Sequence, residues 1–509
     1  MSHSAPPPRT SGDAHDDRLV ANVHPPDWVN PTPAGRYNLV VLGAGTGGLV
    51  AAAIAADLGA RVALIERHFM GGDCLNTGCV PSKAVIRAAR AVAAVRDAGR
   101  FGVRVPDGVT VDFGQVMERM RRLRADISPH DSARRFRDLG VDVYFGAGCF
   151  TSFDTVVVGG QSLRFARAVI ATGARPAVPP VPGLAAVPFL TNETVFNLTR
   201  LPRRLGLLGA GPIGCELAQA FALLGSEVVL VEGARGLLPR EDRDAVAMVR
   251  AAMERDGVRV LPGGRALRVA AGAAGGIGLQ PGPEAGSGEF VVDQLLVATG
   301  RIPNVAGLGL DAAGVAHGPH GVTVDDHLRT TNPRIFACGD VCSPHQFTHA
   351  ADFMARLVIQ NALFPGRARV GSLLIPRCTY TSPELAHVGV GASEARDRGM
   401  EVDTFTQELS KVDRAILDGD SSGFVRIHVR RGTDTIVGAT VVAPRAGDQI
   451  GEITLAMKGG LGLDTVGAAI HPYPTHADAF RRTGDLYRRT RLTPPVKRLM
   501  AWWFRWCRR

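Results

Sequence analysis

Tyr37-Asn38-Leu39-Val40-Val41-Leu42 runs without a spacer into Gly43-Ala44-Gly45-Thr46-Gly47-Gly48. The first half reads as a buried strand and the second is G-x-G-x-x-G. An alanine-rich helix follows to Leu58, then a second strand, Arg61-Val62-Ala63-Leu64-Ile65, which ends in Glu66. That is the βαβ setting the glycine pattern requires. Gly43 makes the turn, Gly45 lets a pyrophosphate approach the backbone, Gly48 lets helix and strand close up, and Glu66 can accept from a ribose hydroxyl. A dinucleotide-binding domain with a parallel sheet is the expectation.

The same unit recurs downstream. Leu205-Gly206-Leu207-Leu208 leads into Gly209-Ala210-Gly211-Pro212-Ile213-Gly214-Cys215-Glu216, then a helix to Leu224, then Glu227-Val228-Val229-Leu230-Val231 and Glu232. Ala171-Thr172-Gly173 and Ala298-Thr299-Gly300 each follow an apolar strand. Two complete fingerprints with matching exits imply two nucleotide-binding domains.

Just beyond the first unit lies Gly71-Gly72-Asp73-Cys74-Leu75-Asn76-Thr77-Gly78-Cys79-Val80-Pro81-Ser82-Lys83, with two of the eight cysteines. Cα atoms five residues apart in a straight helix are roughly 8 Å from each other, whereas a disulfide needs less than about 7 Å. Pairing would therefore require a tightened backbone, for which Asn76, Thr77 and Gly78 are suited. Two unpaired cysteines in a buried turn remain the alternative. A thiolate at the start of the helix after Cys79 would face free N–H groups and the positive end of the dipole. Of 58 basic residues only Lys83, Lys411, Lys458 and Lys497 are lysine, so Lys83 points to a need for a compact ammonium.

A length of 509 residues predicts roughly three domains. Apolar content of 45% and 61 glycines fit a turn-rich α/β protein. No apolar run reaches the ~18 residues of a membrane span, and the N-terminus lacks a signal-peptide pattern. Eight unevenly spaced cysteines make no disulfide framework, so a reducing cytoplasm is the expected compartment. The net charge of +10 does not indicate nucleic-acid binding, because eight basic residues and no acidic one lie between Leu486 and Arg509.

Residues 1–35 are rich in Pro, Ser, His and Asp and read as a disordered leader. The glycine-rich span Leu261 to Glu289 reads as a loose hairpin. Pro333-Arg334-Ile335-Phe336-Ala337-Cys338-Gly339-Asp340 is a strand ending in Gly-Asp, where Asp340 can meet a cofactor hydroxyl. Cys338 and Cys342 lack a companion His/Cys pair at ligand spacing, so no metal site is assigned. Past Ser372 come strands at Phe424 to Val429 and Thr435 to Val442 and a helix at Gln449 to Lys458, an α+β module without a phosphate loop. Its 468–478 segment holds the other candidate acid/base groups, His471, Tyr473, His476 and Asp478.

C-x4-C followed by Val-Pro-Ser-Lys, set between two G-x-G-x-x-G units and followed by Ala-Cys-Gly-Asp, resembles the flavoprotein disulfide reductases, which include dihydrolipoamide dehydrogenase, glutathione reductase and mercuric ion reductase. The match runs from about Tyr37 to Asp485. It implies an α/β fold with two Rossmann-like domains and a C-terminal α+β dimerisation domain. FAD binding falls to 36–190 and 301–371, NAD(P) binding to 191–300, dimerisation to 372–485 and a basic amphipathic tail helix to 486–509. It also implies a homodimer whose active site the partner subunit completes. By resemblance Cys79 is the flavin-proximal cysteine and Cys74 the interchange cysteine, with Lys83, paired to Glu216, beside the flavin. Gly43, Gly45, Gly48, Glu66, Gly148, Thr172, Gly173 and Asp340 match FAD positions. Gly209, Gly211, Gly214, Glu232 and Gly300 match nicotinamide-nucleotide positions. A carboxylate at Glu232 favours NADH over NADPH, while Arg235 and Arg240 keep NADPH open.

The chain departs from thiol-using members at one place. Those carry His-Pro-Thr with a Glu three residues after the Thr; here Tyr473-Pro474-Thr475-His476-Ala477-Asp478 occupies that register, with tyrosine for the base and aspartate for its orienter. A phenol with a reference pKa near 10 is a poor base at neutral pH. His471 could substitute, but the prolines hold 471–474 extended, so it need not reach where Tyr473 reaches. His471 and His476 as partners in a dimer-interface turn is the plain alternative. Tyrosine there resembles mercuric ion reductases, yet a C-terminal vicinal cysteine pair is missing, with only Cys507 present, and so is an N-terminal C-x-x-C domain. Mercury is therefore expected to be a poor substrate.

The expected activity is FAD-dependent NAD(P)H oxidoreduction through Cys74 and Cys79 to a metal ion or another thiol-reactive acceptor. Dihydrolipoamide dehydrogenase is the alternative enzyme, and a flavin-bound redox sensor or membrane-surface interaction protein the alternative class. Val496, Leu499, Met500, Trp503, Phe504 and Cys507 form an apolar helical stripe in the tail. That stripe suits docking on the dimer or peripheral membrane contact.

Overall fold

The computed structural model describes residues 13–33, 35–233, 236–272, 275–285 and 288–508. It divides into two compact units. The first runs to Gly236 and resumes over Gly257–Leu373; the second comprises Leu237–Asp256 and the chain from Leu374 onward.

The first unit is built on the two fingerprints. Strand β1 (Arg36–Leu42), helix α2 (Thr46–Asp57) and strand β2 (Val62–Glu66) follow α1 (Ala14–Val23). β1 pairs in parallel with β2 on one side and with the strand Gln161–Ile170 on the other. β2 continues in parallel to β3 (Asp142–Phe145), and Ile335–Ala337 adds a parallel strand beside Ala168–Ile170. Both β1 and β2 are buried nearly throughout, as a parallel sheet covered on two faces requires. Gly43 adopts φ 99°, and a Cβ there would lie 2.5 Å from the Ala171 carbonyl oxygen, so only glycine fits the turn. The second fingerprint forms its own parallel sheet, in the order Val258–Leu261, Glu227–Val231, Arg204–Leu208, Gln294–Val297. Instead of a loose hairpin, the glycine-rich span contributes to a three-stranded antiparallel sheet of Arg268–Ala271, Ile277–Gln280 and Phe290–Val292.

The leader does not behave as a disordered segment over residues 13–33. Asp13 caps α1, accepting from the His15 N–H at 2.7 Å, and α1 buries Leu19 and Val23. Beyond it, the Asn30 side-chain amide donates to the Phe145 carbonyl and accepts from the Phe145 N–H, both at 2.8 Å. It thereby satisfies the otherwise open edge of β3. A composition poor in apolar residues suffices here because two of them are placed on one helix face and polar side chains make the remaining contacts.

The second unit is a five-stranded antiparallel sheet, in the order Arg377–Thr379, Glu384–Gly389, Ile436–Ala443, Phe424–Arg430, Val402–Glu408. The helices Ala446–Lys458 and Asp478–Thr490 bury residues in its core. The segment Leu237–Asp256, which the sequence grouped with the second fingerprint, belongs to this unit. Arg426 holds Asp242 at 2.7 Å, and Arg377 holds Glu241 at 2.7 Å. A boundary at 486 also falls inside a helix: Asp478–Thr490 continues through it and buries Tyr487. The tail helix proper spans Pro494–Trp506.

Candidate redox-active site

Cys74 lies on α3 (Gly72–Asn76), a single turn, and Cys79 is the first residue of α4 (Cys79–Arg96). The break between them supplies the tightened backbone that a straight helix would not. Gly78 carries it: a Cβ there would lie 2.8 Å from the Asp73 carbonyl oxygen. Both cysteines are free thiols here, and they share a hydrogen bond. That bond from Cys74, the Thr348 hydroxyl 3.3 Å away and the Lys83 ammonium together outweigh partial desolvation and bring the thiol of Cys79, a residue exposed in this chain, down to about 6. The same hydrogen bond and burial push Cys74 up. The pair is polarised, with the anion on Cys79 at the helix N-terminus. One turn along α4, Lys83 Nζ meets Glu216 Oε2 at 2.7 Å; the Glu216 side chain is only 6% exposed. Glu216 comes from the helix Pro212–Leu223, so this ion pair joins the cysteine turn to the second fingerprint.

Three groups that sequence reasoning did not single out hold this turn. Arg124, on α5 (Phe113–Ile127), is 1% exposed; its guanidinium donates to the Asn76 carbonyl at 2.8 Å and to Asp16 of α1 at 2.7 Å. Arg301, next after Ala298-Thr299-Gly300, hydrogen-bonds Asp73 and lies 3.3 Å from Asp340. Thr348 opens the helix Thr348–Leu363. Only Arg301 carried a local signal, a charge directly beside a recognised motif.

The cofactor candidates sit at the carboxyl ends of the strands. Gly43, Gly45 and Gly48 form the turn into α2, and a Cβ on Gly48 would lie 1.8 Å from the Gly43 carbonyl oxygen. Glu66 ends β2; its oxygens accept from the Ala44 and His68 N–H groups at 2.7 and 2.8 Å, and burial raises its pKa. Gly148 packs on Ile65. Thr172 and Gly173 follow Gln161–Ile170, with Thr172 Oγ1 donating to the Asn304 carbonyl at 2.8 Å. Asp340 lies in the turn Gly339–Val341, where burial raises it. A glycine cradle at a helix N-terminus with an acid at the next strand end fits the pyrophosphate and ribose of FAD. The second site repeats this. Gly209 has φ 104°, Gly214 closes on the Gly209 carbonyl, and nothing lies within 4 Å of a Cβ on Gly211 or Gly300. Glu232 lines a cavity of about 370 Å³ with Gly233, Gly263, Gly264 and Arg265. Arg235 lies outside the described residues, and Arg240 belongs to the second unit.

In the second unit the residues around Tyr473 make separate contacts. The chain bends at Tyr473 and Pro474 and turns at His476 and Ala477. Tyr473 is 72% exposed, and its hydroxyl donates to Asp413 at 2.7 Å. Asp478 is buried; against that burial, hydrogen bonds from Arg481 and Arg482 hold its carboxyl below the usual range. His471 Nε2 lies 2.9 Å from Glu452 and Nδ1 3.0 Å from the Ala469 carbonyl. His476 Nε2 lies 3.2 Å from Asp418.

The family model described as pyridine nucleotide-disulphide oxidoreductase matches residues 37–355, and the model of its dimerisation domain matches residues 375–483. A mercuric reductase of Streptomyces lividans is 34% identical over 458 residues, covering 89% of this chain and 96% of that protein. A dihydrolipoyl dehydrogenase of Thermus scotoductus is 33% identical over 460 residues, covering 88% and 97%. Among solved structures, the Cu(II) complex of the HOCl-induced flavoprotein disulfide reductase RclA from Escherichia coli aligns with a TM-score of 0.78 at 27% identity, covering 89% of this chain and all of that one.

Proposed function

The chain belongs to the pyridine nucleotide-disulphide oxidoreductases, and on that premise we propose that its Cys74/Cys79 pair delivers two electrons to a metal ion or another thiol-reactive acceptor. Membership makes it an FAD-dependent oxidoreductase that uses NAD(P)H and carries the family's dimerisation domain. Gly43, Gly45, Gly48, Glu66, Gly148, Thr172, Gly173 and Asp340 would hold FAD; Gly209, Gly211, Gly214, Glu232 and Gly300 would hold the nicotinamide nucleotide. Bound, these cofactors supply the two electrons that open the Cys74–Cys79 disulfide. As the S–S bond breaks, Cys79 keeps the electron pair as thiolate, held by Lys83, Thr348 and the α4 N-terminus, and Cys74 takes a proton. When two electrons pass to the acceptor, the S–S bond re-forms and that proton leaves. Lys83, held at 2.7 Å by Glu216, lies beside the thiolate.

The observation that carries the choice of acceptor is the region of Tyr473. A thiol substrate needs a general base, usually worth about 10²–10⁴-fold in rate. Tyr473 instead donates a hydrogen bond to Asp413, and Asp478 is taken up by two arginines. A metal ion needs no such base, and the relatives named mercuric reductase and the Cu(II)-bound reductase lend support. NADH oxidation driven by a thiol-reactive metal ion such as Cu²⁺ should exceed that driven by lipoamide by on the order of 100-fold. The reverse ranking would overturn the reading. One contact favours a second reading, dihydrolipoamide oxidation: His471 and Glu452 form a histidine–carboxylate pair. Under that reading His471→Gln abolishes lipoamide-dependent turnover and Tyr473→Phe does not.

Glu232, buried at the strand end, supports NADH as donor, because a carboxylate accepts from free ribose hydroxyls and repels a 2′-phosphate. The expected kcat/KM for NADH exceeds that for NADPH by about tenfold or more; a preference for NADPH of that size would reverse the assignment.

A further inference from the structure

The helix Pro494–Trp506 lies beyond the residues matched by the dimerisation-domain model, and none of its side chains is buried. At about 100° per residue, Leu499, Met500, Trp502, Trp503, Phe504 and Trp506 spread over an arc of roughly 200°. Lys497, Arg498, Arg505 and Arg508 fill the remaining arc, and no acidic residue follows Asp485. Among the described residues these four cations form no ion pair, and the only side-chain bonds shown, from Arg505 and Arg508, go to carbonyls of their own helix. A helix that packs on a protein core needs an apolar stripe only about 100° wide. This arc is about twice that minimum, and Trp502 and Trp506 are each 58% exposed.

We propose that this helix lies flat on an anionic lipid surface, with its aromatic arc in the acyl boundary and its cations among the headgroups. At 13 residues it is about 20 Å long, and no described helix is long and apolar enough to cross a membrane. Three of the chain's four tryptophans sit on this one helix, and tryptophan is the side chain that suits an apolar boundary with a wet edge. A cationic face opposite supplies the attraction to anionic headgroups.

The test uses the full chain with vesicles of phosphatidylcholine, with and without phosphatidylglycerol, reading cosedimentation and tryptophan emission. Binding to the phosphatidylglycerol vesicles is expected, with a blue shift and loss at high salt. Both Trp502→Ala/Trp503→Ala/Trp506→Ala and Lys497→Glu/Arg498→Glu/Arg505→Glu/Arg508→Glu should lower binding by at least about tenfold while NADH oxidation in solution is unchanged. Equal binding by a variant lacking residues 492–509, or no binding by the full chain, overturns the proposal. So does a deletion that changes oligomeric state or melting temperature without vesicle binding, which would mean that a second copy covers the aromatic face.

Discussion

Cys79→Ser is expected to lower acceptor reduction by at least about 10³-fold, because a serine can neither close the disulfide nor hold the anion at the α4 N-terminus. NADH-dependent reduction of a dye that takes electrons directly from the flavin should survive, which separates loss of the relay from loss of the fold. Cys74→Ser should be as poor with the natural acceptor, yet it keeps the Cys79 thiolate. The two cysteines differ because the structure polarises them. Cys79 accepts from Cys74 and lies beside Lys83 and Thr348, whereas Cys74 gives its proton to that bond. The sign of the pH dependence follows: the thiolate is present above about pH 6 and is lost as pH falls through that value. Equal activity of Cys79→Ser and wild type would remove the pair from the path.

The second large effect is on stability, at a place the sequence had marked as disordered. Arg124 is buried, and Asp16 of α1 is the carboxylate that compensates it. Removing one partner of such a pair leaves an uncompensated charge inside, at about 3–5 kcal/mol. Asp16→Ala should therefore lower the urea midpoint strongly. Asp16→Ala/Arg124→Met should recover much of that loss, since replacing both partners by apolar atoms is close to neutral. Because Arg124 also holds the Asn76 carbonyl between the two cysteines, Asp16→Ala should speed alkylation of Cys74 in the reduced protein. An unchanged midpoint and an unchanged alkylation rate would show that α1 is decorative. Two further contacts pin α1 to α5, Asp13 with Arg121 at 2.6 Å and Arg18 with Asp126.

The cysteine turn and α1 differ in how far the sequence shows them. The strands, glycines and terminal acids of both fingerprints are local patterns, and each glycine has a steric reason within its own turn. Gly43 and Gly209 need positive φ, and Gly48 and Gly214 close on a carbonyl. The sequence made a break in the helix a condition of Cys74–Cys79 pairing; the structure has α3 and α4 as separate helices, with both thiols free. What was hidden depends on pairings far apart in the chain. Asp16 and Arg124 are separated by 108 residues, Arg301 and Asp73 by 228, and Cys79 and Thr348 by 269. No periodicity announces such contacts. A helix of 10 residues with two aspartates looks like a solvated leader until its partners on α5 are known. Around Tyr473 the residue types were visible, but their partners were not. Whether Asp478 serves Tyr473 or the arginines depends on Arg481 and Arg482, which lie only three and four residues on.

Anaerobic titration of the purified flavoprotein with NADH tests the central claim most directly. The signal is the long-wavelength absorbance of a thiolate lying against the flavin. At about pH 8 it should appear as two electrons enter and fade with a midpoint near 6 as pH is lowered. It should persist in Cys74→Ser and be absent from Cys79→Ser. No such absorbance at any pH, or the same absorbance in Cys79→Ser, would contradict the assignment of Cys79 as the thiolate through which this chain passes its electrons.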